Sequence, residues 1–259
     1  MAEKIVLPLC DRPVERVGES MTKENKGVHL DENLVNTILE NDEWRQVLEE
    51  GENFQTLMAY YECAIMEVET KFNVLNKEFS LRYDRNPIET IKSRLKSIES
   101  IVEKLQRKGL PFSVDEIEKN LTDIAGVRVI CAFPEDIYLI SECLLKQDDI
   151  RLIEVKDYIK NPKESGYKSY HMLVTVPIFL SDRVIDTKVE IQIRTMAMDF
   201  WASLEHKIYY KFEGNAPGYI SRDLRECSDI VSMLDAKMLQ LNEAIIQAKE
   251  AQEEQTGAV

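Results

Sequence analysis

The densest group of basic side chains lies between residues 88 and 109. This segment holds six Lys or Arg residues against three Glu residues, a local charge of 6 − 3 = +3. Its apolar residues recur at steps of three and four, and Asn86-Pro87 before it and Gly109 at its end are typical helix boundaries. The spacing therefore predicts one amphipathic helix over 88–109. Four polar residues of this helix would share one stripe: Lys96, Ser100, Lys104 and Arg107.

This stripe is suited to bind a polyphosphate, because several ammonium groups and a hydroxyl can contact neighbouring phosphates. Arg94 would lie on the other flank of the apolar face of the same helix. The alternative, for this segment alone, is a charged helix face in contact with solvent.

Asp123 stands directly before a Val- and Ile-rich segment, 124–133, that is typical of a buried strand. Within the strand, Gly126 permits a close backbone approach, and Arg128 is unusual among aliphatic neighbours unless it faces a site. A planar guanidinium can stack on a base or pair with a phosphate.

Residues 189–194 alternate between aliphatic and polar types, so one face of a strand would carry Glu190, Gln192 and Arg194. This face is either exposed to solvent or the floor of a cleft to which Arg128 contributes from another strand. Glu190 and Asp123 would then be two carboxylates beside many cations, the oxygen ligands that Mg²⁺ prefers next to a polyphosphate.

A polar loop at 157–171 lies between two predicted strands and mixes Lys and Tyr residues around Gly166. Such side chains suit a nucleotide, with an aromatic ring for the base and cations for the phosphates. Taken alone, the segment is equally compatible with an ordinary surface loop.

The elements that must position these residues form an α+β fold. Alternating and β-branched segments predict strands at 124–133, 151–157, 169–179 and 184–194, the last two as an antiparallel pair. Helices are predicted at 134–146 and 195–212, and Ser113 to Glu116 has the capping-box pattern of a short helix. We therefore predict a mixed sheet of four to five strands packed with helices.

Helical extensions are predicted on both sides of this core. Apolar spacing favours helices over 31–50, with Gly51 as the stop, over 53–79, and over 219–252. The final helix has a longer apolar series than one small domain can cover, which predicts a homo-oligomer. The expected organisation is a flexible arm at 1–30, N-terminal helices at 31–84, a catalytic core at 85–213 and a C-terminal oligomerisation helix at 214–259.

Composition excludes several classes of protein. The 259 residues have a formal net charge of −14, which argues against a protein that coats DNA or RNA. Five scattered Cys and three His show no metal-ligand spacing, and no dinucleotide-binding or P-loop glycine motif is present. No apolar stretch approaches the roughly 18 residues of a membrane span. We expect a soluble cytoplasmic protein with no DNA or membrane partner.

Five segments, in this order, resemble the motifs of the (p)ppGpp synthetases of the RelA/SpoT family, in particular the small stand-alone alarmone synthetases. They are Ile91-Lys-Ser-Arg-Leu-Lys-Ser97, Asp123-Ile-Ala-Gly-Val-Arg128, Lys163-Glu-Ser-Gly-Tyr-Lys-Ser-Tyr-His171, Val189-Glu-Ile-Gln-Ile-Arg-Thr195 and Phe200-Trp-Ala-Ser-Leu-Glu-His206. The resemblance implies a nucleotidyltransferase-like synthetase fold and transfer of pyrophosphate from ATP to the 3′-hydroxyl of GTP or GDP, with AMP as co-product. It also implies a homotetramer and Mg²⁺ as the cofactor.

On the donor side, the resemblance implies that Arg94 and Arg128 sandwich the adenine of ATP. It implies that Lys96, Ser100 and Lys104 hold the ATP phosphates.

On the acceptor side, the resemblance implies that Asp123 binds Mg²⁺ and that Glu190 activates the 3′-hydroxyl and shares the metal. Tyr167 would stack on guanine. Three further residues would position the acceptor nucleotide: Lys163, His171 and Gln192.

Two departures from the longer family members bear on the activity. Ser165 stands where those members usually carry Asn, as in the small synthetases. None of the three His is followed by Asp, so the His-Asp pair of the family's hydrolase domain is absent and product hydrolysis is not expected. Two other interpretations remain open: a different nucleotidyltransferase, and a nucleotide sensor without turnover, against which the presence of both Asp123 and Glu190 speaks.

Overall fold

The computed structural model describes residues 42–82, 86–211 and 217–256. The predicted arm at 1–30 and the first part of the predicted helix over 31–50 lie outside these ranges. The chain divides into two compact units, Met1–Gln46 and Val47–Val259, and the sheet and the candidate site belong to the second.

After a long first helix, the chain is a mixture of helices and strands. In chain order they are α1 (Asp42–Arg82), β1 (Ile88–Leu95), α2 (Ile98–Lys108), α3 (Val114–Asn120), β2 (Ala125–Cys131), α4 (Pro134–Leu145), β3 (Arg151–Asp157), β4 (Tyr170–Phe179), β5 (Val184–Thr195), α5 (Met196–Lys211) and α6 (Gly218–Thr256).

Five strands form one mixed sheet in the order β1-β2-β5-β4-β3. β2 and β5 run parallel, and every other pair of neighbours is antiparallel. The predicted α+β class and the antiparallel pairing of β4 with β5 are therefore confirmed. β5 lies at the centre of the sheet, with β2 on one side and β4 on the other.

Residues 88–95 form a strand, so the prediction of one helix over 88–109 is wrong and the helix is limited to α2. Ile88 and Ile91 favoured a helix because both are apolar and three positions apart. The pairing of β1 with β2 shifts register between Ile88 and Thr90, and such a bulge adds one residue to the strand. As a result Ile88 is buried and Ile91 also packs against the core, so a bulged strand shows the spacing of a helix.

Helix α1 runs without interruption through Gly51, so the predicted helix end at this glycine is wrong. Apolar residues along one side of α1 enter the main hydrophobic core: Phe54, Leu57, Tyr61, Ala64, Ile65, Val68, Phe72, Leu75 and Phe79. Their burial outweighs the cost of about 1 kcal/mol that a glycine imposes inside a helix.

The two faces of the sheet differ in character. Alternate residues of the three central strands, such as Val127, Met172 and Ile191, are fully buried in the same core as α1 and α4. Many of the intervening residues are polar and only partly covered, among them Arg128, His171, Glu190 and Gln192. A second, smaller apolar cluster joins α5 to α6 through Trp201, Ala202 and Leu224, and Tyr167 packs against it.

Replacing Gly51 by Ala tests the continuity of α1. Gly51 is exposed in a helix interior, and a Cβ there would meet nothing within 4 Å. We expect Gly51→Ala to raise the free energy of unfolding by about 0.5–1 kcal/mol, measured by urea denaturation. Gly109→Ala is the matched control and should lower it, because Gly109 ends α2 with a φ of +67°. A loss of stability at both positions would place a helix end at Gly51.

Candidate active site

One row of long polar side chains crosses all five strands on the polar face of the sheet. The strand registers place Lys92 opposite Arg128, Arg128 opposite Gln192, Gln192 opposite His171, and His171 opposite Lys156. Arg128, Gln192 and His171 were predicted from the sequence as site residues, and the sheet brings them together. Lys92 and Lys156 were not predicted as site residues: β1 was interpreted as a helix, and β3 carries none of the five motifs.

The neighbouring row contains Arg94, Gly126, Glu190 and Leu173 in register. The Arg94 side chain lies across Gly126, with its Cγ 3.5 Å from the place where a Cβ would stand. Arg94 therefore sits on a strand beside β2, and not on the flank of a helix as predicted.

Arg94 and Arg128 line one pocket of about 220 Å³, together with residues of β1, β2 and β5. Arg128 Nη1 donates to Asp199 at 3.2 Å, whereas its buried Nε has no hydrogen-bond partner within the described ranges. Burial lowers the pKa of Arg128, as does the charge of Arg194, while Asp199 acts in the opposite direction. A pocket lined by two guanidinium groups, one of them with an unused donor, suits a planar base.

Lys96 and Lys104 converge on Asp123 although they do not share a helix. Lys96 lies in the turn between β1 and α2, where its backbone N–H donates to Ile124 O at 2.8 Å. Its Nζ is 3.1 Å from Asp123 Oδ2, and Lys104 Nζ is 2.7 Å from Oδ1. Burial raises the pKa of Asp123, but the hydrogen bonds and charges of Lys104 and Lys96 outweigh it and hold this pKa below its ordinary value.

The predicted stripe on one helix is thus wrong, while the grouping of its two lysines is right. Ser100 belongs to the first turn of α2, where its Oγ accepts a hydrogen bond from the Ser97 hydroxyl at 3.1 Å. Arg107 is exposed in the last turn of α2, two turns further from the sheet.

Glu190 is ionised and held by two neighbours on the polar face. Gln192 Nε2 donates to its Oε2 at 3.0 Å, and His171 Nδ1 lies 3.7 Å from its Oε1. Burial raises the pKa of Glu190, but the hydrogen bonds from His171 and Gln192 outweigh this effect and lower it. The charge of Asp123 also acts on Glu190, in the raising direction, so the two carboxylates are close enough to interact.

The donor set of this site fits Mg²⁺ bound together with a nucleotide. Asp123 and Glu190 supply two ionised carboxylates, and Mg²⁺ is usually held by one or two carboxylates plus substrate phosphates. Within the described ranges, no group of three or more His, Cys, Asp or Glu could hold a metal by itself. The fit is therefore to a metal that shares its ligands with a bound polyphosphate.

Tyr167 projects from the β3–β4 loop, residues 158–169, toward the polar face of β5. Its hydroxyl accepts from Arg194 Nη2 at 2.5 Å and shares a hydrogen bond with His171 Nε2 at 2.9 Å. Lys163 Nζ lies 4.9 Å from the centroid of its ring, and Arg194 Cζ lies 5.1 Å away. The loop therefore places an aromatic ring and a cation next to His171 and Arg194, which in turn lie against Glu190 and Gln192.

Arg194 organises the half of this face around Tyr167, a role that the sequence did not reveal. Its side chain is only 5% exposed. Its guanidinium group donates to four side chains: Tyr167, Gln192, Ser169 and Asp199. It therefore fixes the loop, the central strand and the start of α5 with respect to one another.

Asp199 is a second residue that the sequence analysis missed. It accepts from Arg128 as well as from Arg194, and Lys92 Nζ lies 3.6 Å from its Oδ2. A single carboxylate thus joins the arginine pocket to the Tyr167 side. The one sequence signal is an acid in the first turn of the helix that directly follows β5.

Comparisons with known proteins identify relatives along most of the chain. A family model for the region found in RelA / SpoT proteins matches residues 93–215. The GTP pyrophosphokinase YwaC of Bacillus subtilis (strain 168) is 44% identical over 209 residues, which are 81% of this chain and 98% of the relative.

Two solved structures have a similar fold. The crystal structure of the small alarmone synthetase 2 from Bacillus subtilis has 44% identity and a TM-score of 0.68, and the match covers 74% of this chain and 99% of that one. The small alarmone synthetase 1 from Bacillus subtilis, bound to its product pppGpp, has 36% identity and a TM-score of 0.69, with 75% and 99% covered.

Removing the charge of Asp123 tests its pairing with the two lysines. A carboxyl whose pKa is lowered by folding stabilises the protein above its unfolded pKa, about 4, and this contribution is lost as the pH falls through the lowered value. Asp123→Asn should cost about 1–3 kcal/mol at pH 7, because two partly buried ammonium groups lose their partner.

The difference between wild type and Asp123→Asn should shrink as the pH falls below about 4, which thermal unfolding at pH 7, 5, 4 and 3 would measure. Asp182→Asn is the control: Asp182 is exposed and contacts only its neighbour Arg183 within the described ranges, so little change is expected at any pH. A difference that stays constant from pH 7 to 3 would contradict the pairing.

Proposed function

Because the chain belongs to the RelA/SpoT family, we propose that it is a GTP pyrophosphokinase that transfers the β,γ-pyrophosphate of ATP to the 3′-hydroxyl of GTP or GDP and releases AMP. The observation that carries this proposal is the position of Glu190. Glu190 stands on the central strand, β5. The arginine pocket of β1 and β2 lies on one side of it, and β4 with the Tyr167 loop that leads into it lies on the other. A carboxylate in that place can serve as the general base for a group transfer between two nucleotides.

On the donor side, we propose that adenine occupies the pocket between Arg94 and Arg128. Lys96, Lys104 and Ser100 would contact the ATP phosphates. Both lysines are paired with Asp123. A polyphosphate offers them stronger and more numerous acceptors, which would leave Asp123 available as a metal ligand.

Asp123 and Glu190 would together hold Mg²⁺, which would supply charge neutralisation on the transferred pyrophosphate when bound. Burial disfavours the charged form of both carboxyl groups, but hydrogen bonds from their neighbours outweigh it, lower both pKa values and hold the side chains in place. The chain's own contribution is thus a pair of fixed negative groups at the junction of the two nucleotide subsites.

On the acceptor side, Tyr167 would stack on guanine, and Lys163, His171 and Gln192 would position the nucleotide. The lysine already lies near the ring of Tyr167, and the other two residues flank Glu190. These contacts support an acceptor ribose placed with its 3′-hydroxyl at Glu190.

Glu190 would accept the proton of this 3′-hydroxyl. Hydrogen bonds from His171 and Gln192 lower its pKa, so it is ionised and able to take a proton, although as a weak base. Proton transfer by such a group contributes roughly 10²–10⁴-fold to the rate. Most of the remaining acceleration would come from alignment and charge neutralisation.

Product analysis tests this function directly. The full chain incubated with ATP, GTP and Mg²⁺ should form AMP and a guanosine nucleotide that has gained two phosphates, separated by ion-exchange chromatography. Glu190→Gln should lower the rate by roughly 10²–10⁴-fold while both nucleotides still bind, because the amide keeps the shape but accepts no proton.

Asp186→Asn is the matched control, since Asp186 lies on the same strand and face but is exposed at the far end. It should retain wild-type activity. Release of free pyrophosphate without AMP would indicate a nucleotidyltransferase of another kind, and binding without turnover would indicate a sensor. An active Glu190→Gln enzyme would remove Glu190 from the role of base.

We also propose that the enzyme synthesises without hydrolysing its product and acts in the cytoplasm, where nucleotide substrates are present. The absence of any His-Asp pair in the sequence supports the first statement. Across the described ranges, none of the helices combines the length and the apolar character that a membrane span requires.

Self-association is proposed through α6. One side of this helix exposes a continuous set of apolar residues: Ile230, Met233, Leu234, Met238, Leu241 and Ile245. Exposed apolar area of this extent is typical of an interface. A second copy of the chain is its proposed occupant, in an assembly of four.

Light scattering at micromolar concentration measures this assembly. We expect a mass near four times 30.0 kDa, and a lower mass for the double variant Leu234→Glu, Leu241→Glu, which places charges in the apolar stripe. Glu226→Gln, at an exposed position of the same helix, is the control and should keep the wild-type mass. A wild-type mass near 30 kDa would refute the assembly.

A further inference from the structure

Helix α6 presents a polar face to the β3–β4 loop, on the side opposite its exposed apolar stripe. Ser228, Ser232 and Asp235 stand at positions i, i+4 and i+7 and therefore share one side of the helix. Ser228 and Asp235 are buried, and Ser232 is half-buried. Polar groups buried in this way need partners. Ser228 and Ser232 find them in the β3–β4 loop, and Asp235 finds its partner at the end of β5.

The first contact joins the helix to the backbone of the loop at Gly166. Ser228 Oγ donates to Gly166 O at 2.5 Å. Gly166 has a φ of +92°, and a Cβ there would lie only 2.7 Å from Ser228 Cβ. A glycine is therefore needed both for the conformation and for the close approach, and the loop backbone rests directly on the helix.

The second contact holds the residue on the other side of Tyr167. Lys168 Nζ donates to Ser232 Oγ at 2.5 Å, and Ser232 Oγ in turn donates to Ser228 O at 2.9 Å. The two residues that flank Tyr167 are thus both attached to α6.

The third contact ties the same face to the end of β5. Asp235 Oδ2 accepts from Thr195 Oγ1 at 2.6 Å, and Thr195 Oγ1 accepts from Met198 N at 3.1 Å, in the first turn of α5. Burial raises the pKa of Asp235, while Thr195 and the charge of Lys168 oppose this. Asp235 therefore fixes the end of β5 directly after Arg194, which donates to Tyr167.

We propose that Ser228, Ser232 and Asp235 are positioning residues for the acceptor nucleotide, so that α6 determines how well the β3–β4 loop presents Tyr167 to the base. The inference rests on the proposed function, which assigns the acceptor to this loop. A loop that is already ordered loses less conformational entropy when it binds a ligand, so removal of the brace raises the cost of binding at this subsite alone.

Ser232→Ala is the variant that tests the brace with the least disturbance. We expect the KM for GTP to rise about three- to tenfold, the scale of immobilising one or two side chains, with the KM for ATP and kcat changed less than about twofold. Ser80→Ala is the matched control: Ser80 lies on α1 and its hydroxyl donates to Lys77 O within the same helix. It should leave all three constants at their wild-type values.

A double-mutant cycle separates the brace from independent effects. Lys168→Ala should raise the KM for GTP, and adding Ser232→Ala should change it little further, because the contact is already lost. Gly166→Ala should raise it more than either, since a Cβ would push the loop away from Ser228. Fully additive effects of Lys168→Ala and Ser232→Ala would overturn the proposal.

A readout without turnover keeps this inference separate from the proposed function. Amide hydrogen exchange in residues 163–169 should be faster in Ser232→Ala than in wild type, and calorimetry should show weaker GTP binding with unchanged ATP binding. If the wild type makes no product, the proposed function fails, while these two measurements still test the brace. Unchanged exchange, unchanged GTP binding, or an equal loss for ATP and GTP would each overturn it.

Discussion

The parallel pairing of β2 with β5 is the constraint on which the rest of the site depends. It sets Gly126 opposite Glu190 and Arg128 opposite Gln192. The donor pocket and the carboxylate proposed as the base thus become neighbours, although more than 60 residues of chain separate them. Parallel neighbours need a long crossover, and here the intervening chain supplies α4, β3, β4 and the β3–β4 loop. The antiparallel pairing of β4 with β5 then places His171 on the other side of β5, where it is hydrogen-bonded to Tyr167.

Charge balance explains how a strongly acidic protein holds a cluster of cations at the proposed polyphosphate site. Two partly buried carboxylates on the polar face each have several cationic partners: Asp123 has two lysines, and Asp199 has two arginines and Lys92. An unpaired charge at these positions would be costly. The pairs hold the side chains in place, and they can exchange partners when phosphates arrive, because phosphate oxygens replace carboxylate oxygens for the same cations.

Much of the fold and the grouping of the site could be predicted from the sequence. The strands β2 to β5 and the helices α4, α5 and α6 have the periodicity of their secondary structure, and their predicted bounds agree with the structure to within a few residues. β1 was missed because a bulge gave Ile88 and Ile91 the spacing of a helix. The predicted helix end at Gly51 was wrong because the burial of residues such as Phe54 and Leu57 on α1 outweighs the low helix propensity of one glycine.

By itself, the sequence determined the types of chemistry that are available: two acids, a set of cations, an aromatic loop and their order along the chain. Local periodicity and residue type carry this information, since both act over a few residues. Only the tertiary structure decided that Lys96 and Lys104 meet at Asp123 from a turn and a helix. It alone showed that Arg194 and Asp199 join the arginine pocket to the Tyr167 loop, and that α6 supports this loop. These contacts join residues tens of positions apart, and their geometry follows from strand register and helix packing, which no local pattern encodes.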